Sequence, residues 1–145
     1  MQPAATPVPL LRDYPLIALP GNPSAAARAR VVARVGLTMM GWSGSVEAAT
    51  KVISHLVDNA VQHGVMADFF GDDVTVRLSV SEAHHLVIDV CDPNPSFPDF
   101  DAAKAGEPGS GLWWAQSLGA DITWFIPPNA SGKTVRATMK GDAHP

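Results

Sequence analysis

The apolar positions of residues 46–63 recur in steps of three and four, the period of a helix with one buried face. Ala49, Val52, Ile53, Leu56, Val57, Ala60 and Val61 make up that stripe. His55, Asn59 and His63 lie four apart and share another face of the same helix. Ser45 stands where a cap is needed at its start, and Gly64 where a stop is needed at its end. Residues 25–40, rich in Ala, Val and Arg, predict an earlier helix with Ser24 as N-cap and a break over 41–44. Residues 74–80 alternate apolar and polar, and 86–91 are β-rich, which predicts an antiparallel hairpin turning over 81–85. Residues 121–126 and 134–139 predict a last pair of strands joined through 127–132, with a short helix over 111–118. A short strand fits 15–19, stopped by Pro20-Gly21-Asn22-Pro23. The order of elements predicts an α+β fold: a two-layer sandwich of a mixed, mostly antiparallel β-sheet with helices on one face.

Pro3, Pro7 and Pro9 mark residues 1–14 as a flexible N-terminal arm. Residues 15–140 then form the folded domain, and 141–145 a C-terminal tail. A length of 145 residues suits one domain, and a hydrophobic fraction of 46% is enough to build its core. The net charge of −4 gives no electrostatic case for direct nucleic-acid binding. The lone Cys91 has no partner for an internal disulfide, which fits a reducing cytoplasm. No basic-then-apolar start reads as a targeting segment. No unbroken apolar run approaches the ~18 residues of a membrane span. Residues 92–108 contain Pro93, Pro95, Pro98 and Pro108 without any period. So long a loop in a small domain is more often a lid or binding element than a plain connection.

Several polar residues sit where packing does not explain them. Asn59, beside a buried stripe, has to be hydrogen-bonded or bound to something. Asp92 ends an apolar strand; in a cavity it would accept a hydrogen bond with little competition from water. It would equally suit a turn before Pro93. Gly109-Ser110-Gly111 opens the short helix, where the amides of Gly111 and Leu112 can face an anion. Gly132-Lys133-Thr134 is not a phosphate-binding P-loop, because position 127, where its first Gly would fall, is Pro. His55 and His63 are separated by roughly 12 Å of helix. That is too far for one zinc ion with bonds of about 2 Å. Of the adjacent Trp113 and Trp114, one is expected to pack inward and the other to be partly exposed, while Trp42 and Trp124 suit the core.

An Asn-bearing helix, an Asp at a strand end and a Gly-x-Gly before a helix occur here in one order: Asn59, Asp92, and Gly109 with Gly111. In this order they resemble the GHKL (Bergerat-fold) ATPase superfamily, with its histidine-kinase-like ATPase fold. DNAVQHG, DPNPSFP, GSGLWW and GKTV resemble in particular the actinobacterial anti-sigma-factor serine/threonine kinases, over roughly residues 15–140. The resemblance implies an ATP-binding, Mg²⁺-dependent regulator that binds a sigma factor and phosphorylates an antagonist protein. It makes Asn59 the Mg²⁺ ligand and Asp92 the acceptor for the adenine amino group. Asn94 stands where the family often has Gly, tolerates the same backbone angles, and would line the pocket. Gly109, Gly111 and Leu112 would lie against the phosphates, and Lys133-Thr134 near the base, with the Thr134 hydroxyl bonding it directly or through water. The resemblance also implies a homodimer, although no heptad or exposed stripe stands out in the sequence.

Position 55 departs from the pattern. The resemblance puts a Glu general base there, and this chain has His55. A neutral imidazole can take a proton near pH 7, but its reach and charge differ from a carboxylate's. Asp58 is no substitute, since it points about 100° away from Asn59 around the helix. Two expectations follow: a kinase with His55 as base, or a catalytically impaired binding module of the same fold, with or without nucleotide.

Overall fold

The structure is a computed structural model that describes residues 10–63, 74–97, 100–101, 111–128 and 132–141. Six strands form one antiparallel sheet: β1 (Leu10–Asp13), β2 (Ile17–Leu19), β3 (Val74–Ser81), β4 (His85–Asp92), β5 (Asp121–Phe125) and β6 (Lys133–Lys140). Their order is β1-β3-β4-β6-β5, with β2 pairing beside β1 on the same edge of β3. Helices α1 (Ala25–Met40), α2 (Val46–His63) and α3 (Gly111–Ser117) complete the described elements.

Register sets which face of the sheet is dry. Val76, Leu78 and Val80 on β3 lie opposite Val90, Ile88 and Leu86 on β4, which in turn face Val135, Ala137 and Met139 on β6. All nine are buried. Alternation along a strand puts every second residue on one side, so this set forms one apolar surface. Onto it α2 lays Val52, Ile53, Leu56, Val57 and Ala60, all buried as the helical period predicts. Each such side chain contributes about 1.5–3 kcal/mol by leaving water, apart from the smaller alanine. Helix α1 packs beside α2 and over β2 and β3, while α3 packs on α2.

The helix ends follow local chemistry. Gly41 closes α1 in the left-handed conformation (φ 63°), and its N–H donates to the carbonyls of Leu37 and Thr38. The Ser45 hydroxyl accepts from the Ala48 N–H at 3.1 Å, as expected of an N-cap. Ser24 behaves differently. Its side chain makes no capping bond to α1. Instead its N–H and hydroxyl both donate to the Asn22 side chain.

One boundary is corrected. Residues 10–13, expected within the flexible arm, form strand β1 on the edge of β3, and Tyr14 donates its N–H to the Leu78 carbonyl. The Tyr14 ring lies on Gly36 of α1, where even an added Cβ would sit 3.1 Å from it. The remaining residues of the arm, Gly64, and residues 142–145 of the tail lie outside the described residues.

The outer side of α1 carries Val31, Val35 and Met39, which are 68%, 50% and 75% exposed. They recur four apart and make the exposed apolar stripe that the sequence did not disclose. Among the described residues no helix is long and apolar enough to cross a membrane.

Candidate functional site

Strand register brings two ionisable residues together at one end of the sheet. Asp92 closes β4 directly opposite Lys133, the first residue of β6, on the face that carries the core. The Lys133 ammonium donates to Asp92 Oδ1 at 3.0 Å. The two side chains are only 3% and 1% exposed. Lys133 also donates to the Asn94 carbonyl at 3.2 Å and lies 5.3 Å from the centroid of the Phe97 ring. Burial pushes the Asp92 carboxyl above its ordinary range, while the Lys133 ammonium and the Asn94 N–H pull it back. Asp92 Oδ2 is buried and has no hydrogen-bond partner among the described residues. An unused carboxylate oxygen in a dry site is an acceptor for a donor from outside the chain.

Asn94 holds this corner rather than lining an open pocket. Its N–H donates to Asp92 Oδ1 at 2.9 Å, and its Oδ1 accepts from the Ser96 N–H at 3.0 Å, two successive Asx turns. Its Nδ2 donates to the His63 carbonyl at 3.1 Å, tying the end of α2 to the end of β4. The backbone of Asn94 is not left-handed; among the described non-glycine residues only His84, in the β3–β4 turn, has a positive φ. Gly132 lies against the same corner. A Cβ there would run into the Asp92 carbonyl, with Pro93 Cα at 2.9 Å.

Thr134 is not at the base position expected for it. It pairs with Cys91 on the opposite face of the sheet, and its hydroxyl lies 3.1 Å from Cys91 Sγ. The reason is the two-residue period: if Lys133 faces the core beside Asp92, its neighbour must face away. Gly111 opens α3 and Leu112 is fully buried, anchoring that helix. Gly109 lies outside the described residues.

Along α2, His55 and Asn59 are half-buried and His63 is exposed. Among the described residues nothing hydrogen-bonds the Asn59 side chain, which leaves its amide oxygen, a hard donor atom, for a ligand. His55 stacks with Trp114 of α3, ring centroids 6.3 Å apart and planes 14° from parallel. Trp114 is 45% exposed and Trp113 half-buried, which is the expected division between adjacent helix residues. Among the described residues no cluster of His, Cys, Asp or Glu could hold a metal by itself.

The described part of the long connection after β4 is docked. Phe97 and Phe100 meet edge-on with centroids 5.0 Å apart, and both lie against Trp124 of β5 at 6.0 and 6.4 Å. The sequence reading missed this trio, whose Phe97 ring lies 5.3 Å from the Lys133 ammonium. Its only advance signal is two aromatic residues three apart inside a Pro-rich loop.

Two of the solved structures that resemble this chain share its fold. The crystal structure of the RsbU and RsbW domains of Rv1364c from Mycobacterium tuberculosis superposes with a TM-score of 0.62 at 22% identity, over 89% of this chain and 32% of that one. The chain has a histidine-kinase-like α+β fold. The histidine kinase domain of a blue-light-activated histidine kinase from Erythrobacter litoralis superposes on this chain with a TM-score of 0.50 at 20% identity. That match covers 94% of this chain and 65% of the kinase chain. This chain therefore spans about one third of the first structure and just under two thirds of the second. No family model matches the sequence, and no curated protein matches it.

Within this fold His55 carries a pH signature. Burial holds its pKa below the ordinary 6.5, Asp58 acts to raise it, and Arg30 to lower it. At neutral pH the imidazole is uncharged. Protonation is thus harder in the folded than in the unfolded chain. The stability that His55 contributes is present above its unfolded value of 6.5 and is lost as pH falls toward its depressed folded value. We expect urea unfolding to show a larger loss between about pH 7.5 and about pH 5.5 in the natural chain than in His55→Gln. Equal losses in the two proteins would remove His55 as the cause.

Proposed function

We propose that this chain is a cytoplasmic, ATP-binding regulatory protein of the anti-sigma type, which works by contacting a sigma factor or an antagonist protein. The observation that carries the nucleotide reading is Asp92 Oδ2, a buried acceptor without a partner beside the end of α2. Adenine offers a matching donor in its amino group. Asn59, half-buried and without a hydrogen bond among the described residues, suits Mg²⁺. When bound, ATP supplies the transferable phosphoryl group and Mg²⁺ offsets its charge. The chain's own part is to orient the base at Asp92 and the metal at Asn59, and to exclude water with the Phe97, Phe100 and Trp124 wall. In a transferring protein, His55 would take the proton of the attacking hydroxyl at its free ring nitrogen. Likeness in fold to a chain that contains an RsbW domain supports the regulatory reading.

A second reading has its own observation. His55 stands where the resemblance expects a Glu, and its ring is stacked with Trp114. A stacked neutral imidazole has less freedom to meet a substrate hydroxyl than a carboxylate on a flexible stem, which favours a binding module with weak or absent transfer.

One set of experiments tests both. Calorimetric titration with ATP is expected to show Mg²⁺-dependent binding that Asn59→Ala weakens. Absence of binding, in this chain and in the Lys133 variant described below, would end the nucleotide reading. With γ-labelled ATP and a candidate antagonist, transfer by the natural chain would rule out the impaired module. Transfer gained only in His55→Glu would support it.

A further inference from the structure

The Asp92 carboxylate already has a ligand, and it is part of the chain. Lys133 Nζ directs one proton to Asp92 Oδ1 and another to the Asn94 carbonyl. The ammonium nitrogen also lies 5.3 Å from the centroid of the Phe97 ring. The side chains of Asp92 and Lys133 are both at or below 3% exposure, so the carboxylate is closed to water with the lysine in place. Phe97 is held in turn by Phe100 and Trp124, so the lysine's enclosure is fixed by packing.

We propose that Lys133 is the affinity-determining residue of the nucleotide site, an intramolecular occupant that a purine must displace to reach Asp92. This rests on the nucleotide reading above. The base would have to enter space that Lys133 fills, so its bond to the open Asp92 Oδ2 is set against the bond from Lys133 to Oδ1 that it breaks. An ammonium–carboxylate hydrogen bond in a dry site is charge-assisted, and about twice as strong as one from a neutral amino group. A base amino group alone therefore does not outcompete it. Displacement is feasible because the four-carbon stem can swing the ammonium into water, where hydration recovers part of the lost contact. The aromatic wall then faces the vacated space. A short residue with one neutral donor at position 133 would satisfy Asp92 Oδ1 while leaving that space open to the ligand.

The test uses the full chain. Lys133→Thr, checked for native circular dichroism, is titrated with Mg-ATP beside the natural protein. The expected result is binding at least about tenfold tighter in the variant, a difference of about 1.4 kcal/mol. A second measurement needs no variant. Amine-directed labelling read by peptide mass spectrometry should modify Lys133 slowly in the free natural protein and several-fold faster at saturating Mg-ATP. Equal affinities with unchanged Lys133 labelling would overturn the proposal and leave the nucleotide site standing. A folded Lys133→Thr that binds no ATP, like the natural chain, would overturn the nucleotide reading and the proposal with it. Should the variant not fold, the labelling result decides alone.

Discussion

Replacing Asp92 by alanine is expected to lower the unfolding free energy by about 3–5 kcal/mol, the usual consequence of stranding one member of a buried ion pair. Lys133 would keep its contact with the Asn94 carbonyl but lose its carboxylate partner Asp92, in a position 3% exposed. The Asn94 N–H would lose its acceptor as well, and that turn carries the tie to the end of α2. The loss belongs to the unpaired ammonium, because the intact pair itself has a large desolvation cost. This is visible in the upward push on the Asp92 carboxyl despite the lysine beside it. Adding Lys133→Met to Asp92→Ala should therefore restore most of the stability, since it removes the stranded charge and keeps the buried stem. Urea unfolding of the two single variants and the double variant measures this directly. No recovery in the double variant would mean that the ammonium is not the source of the loss.

The second large effect is expected at Gly132. An alanine there would press its methyl group into the Asp92 carbonyl, with the Asp92 carbonyl carbon and Pro93 Cα both at 2.9 Å. These are backbone atoms at the end of β4, so no side-chain rotation can relieve the contact. Either the β5–β6 connection or the Asp92 turn must shift. Overpacking of this kind costs on the order of 1–3 kcal/mol. Because Lys133 follows directly in the chain, the shift should also pull its ammonium away from Asp92. Gly132→Ala should then show both a lower urea midpoint and faster amine labelling of Lys133 without nucleotide. A variant as stable as the natural protein would show that this corner is looser than its contacts indicate.

These expectations depend on features that were unequally visible beforehand. Helix α2 was legible because a helical period over 18 residues buries one face and exposes the other, and α1 from a 16-residue run rich in Ala, Val and Arg between a Ser and a Gly break. The β3–β4 hairpin was legible for the corresponding reason at period two, with its turn falling over residues 82–84. Strand β1 was hidden. Four residues after a Pro-rich stretch carry little pattern, and their strand character comes from the open edge of β3. Ser24 shows a similar limit: the residue type suits a cap, but Asn22 two residues earlier engages its hydroxyl.

By itself the sequence determined the local elements and the α+β class, and it marked Asn59 and Asp92 as candidate site residues. Each depends on short-range periodicity or on a residue type out of place in its surroundings. Tertiary structure alone decided how those residues are used. Asp92 and Lys133 are 41 positions apart and meet only because β4 and β6 pair in a particular register. The same register turns Thr134 to the far side of the sheet, and a shift by one residue would exchange the two. Asn94 became a structural tie only when the end of α2 came within reach of its amide. Pairing partner and register are set by the fit of whole surfaces, and no window of sequence contains that information.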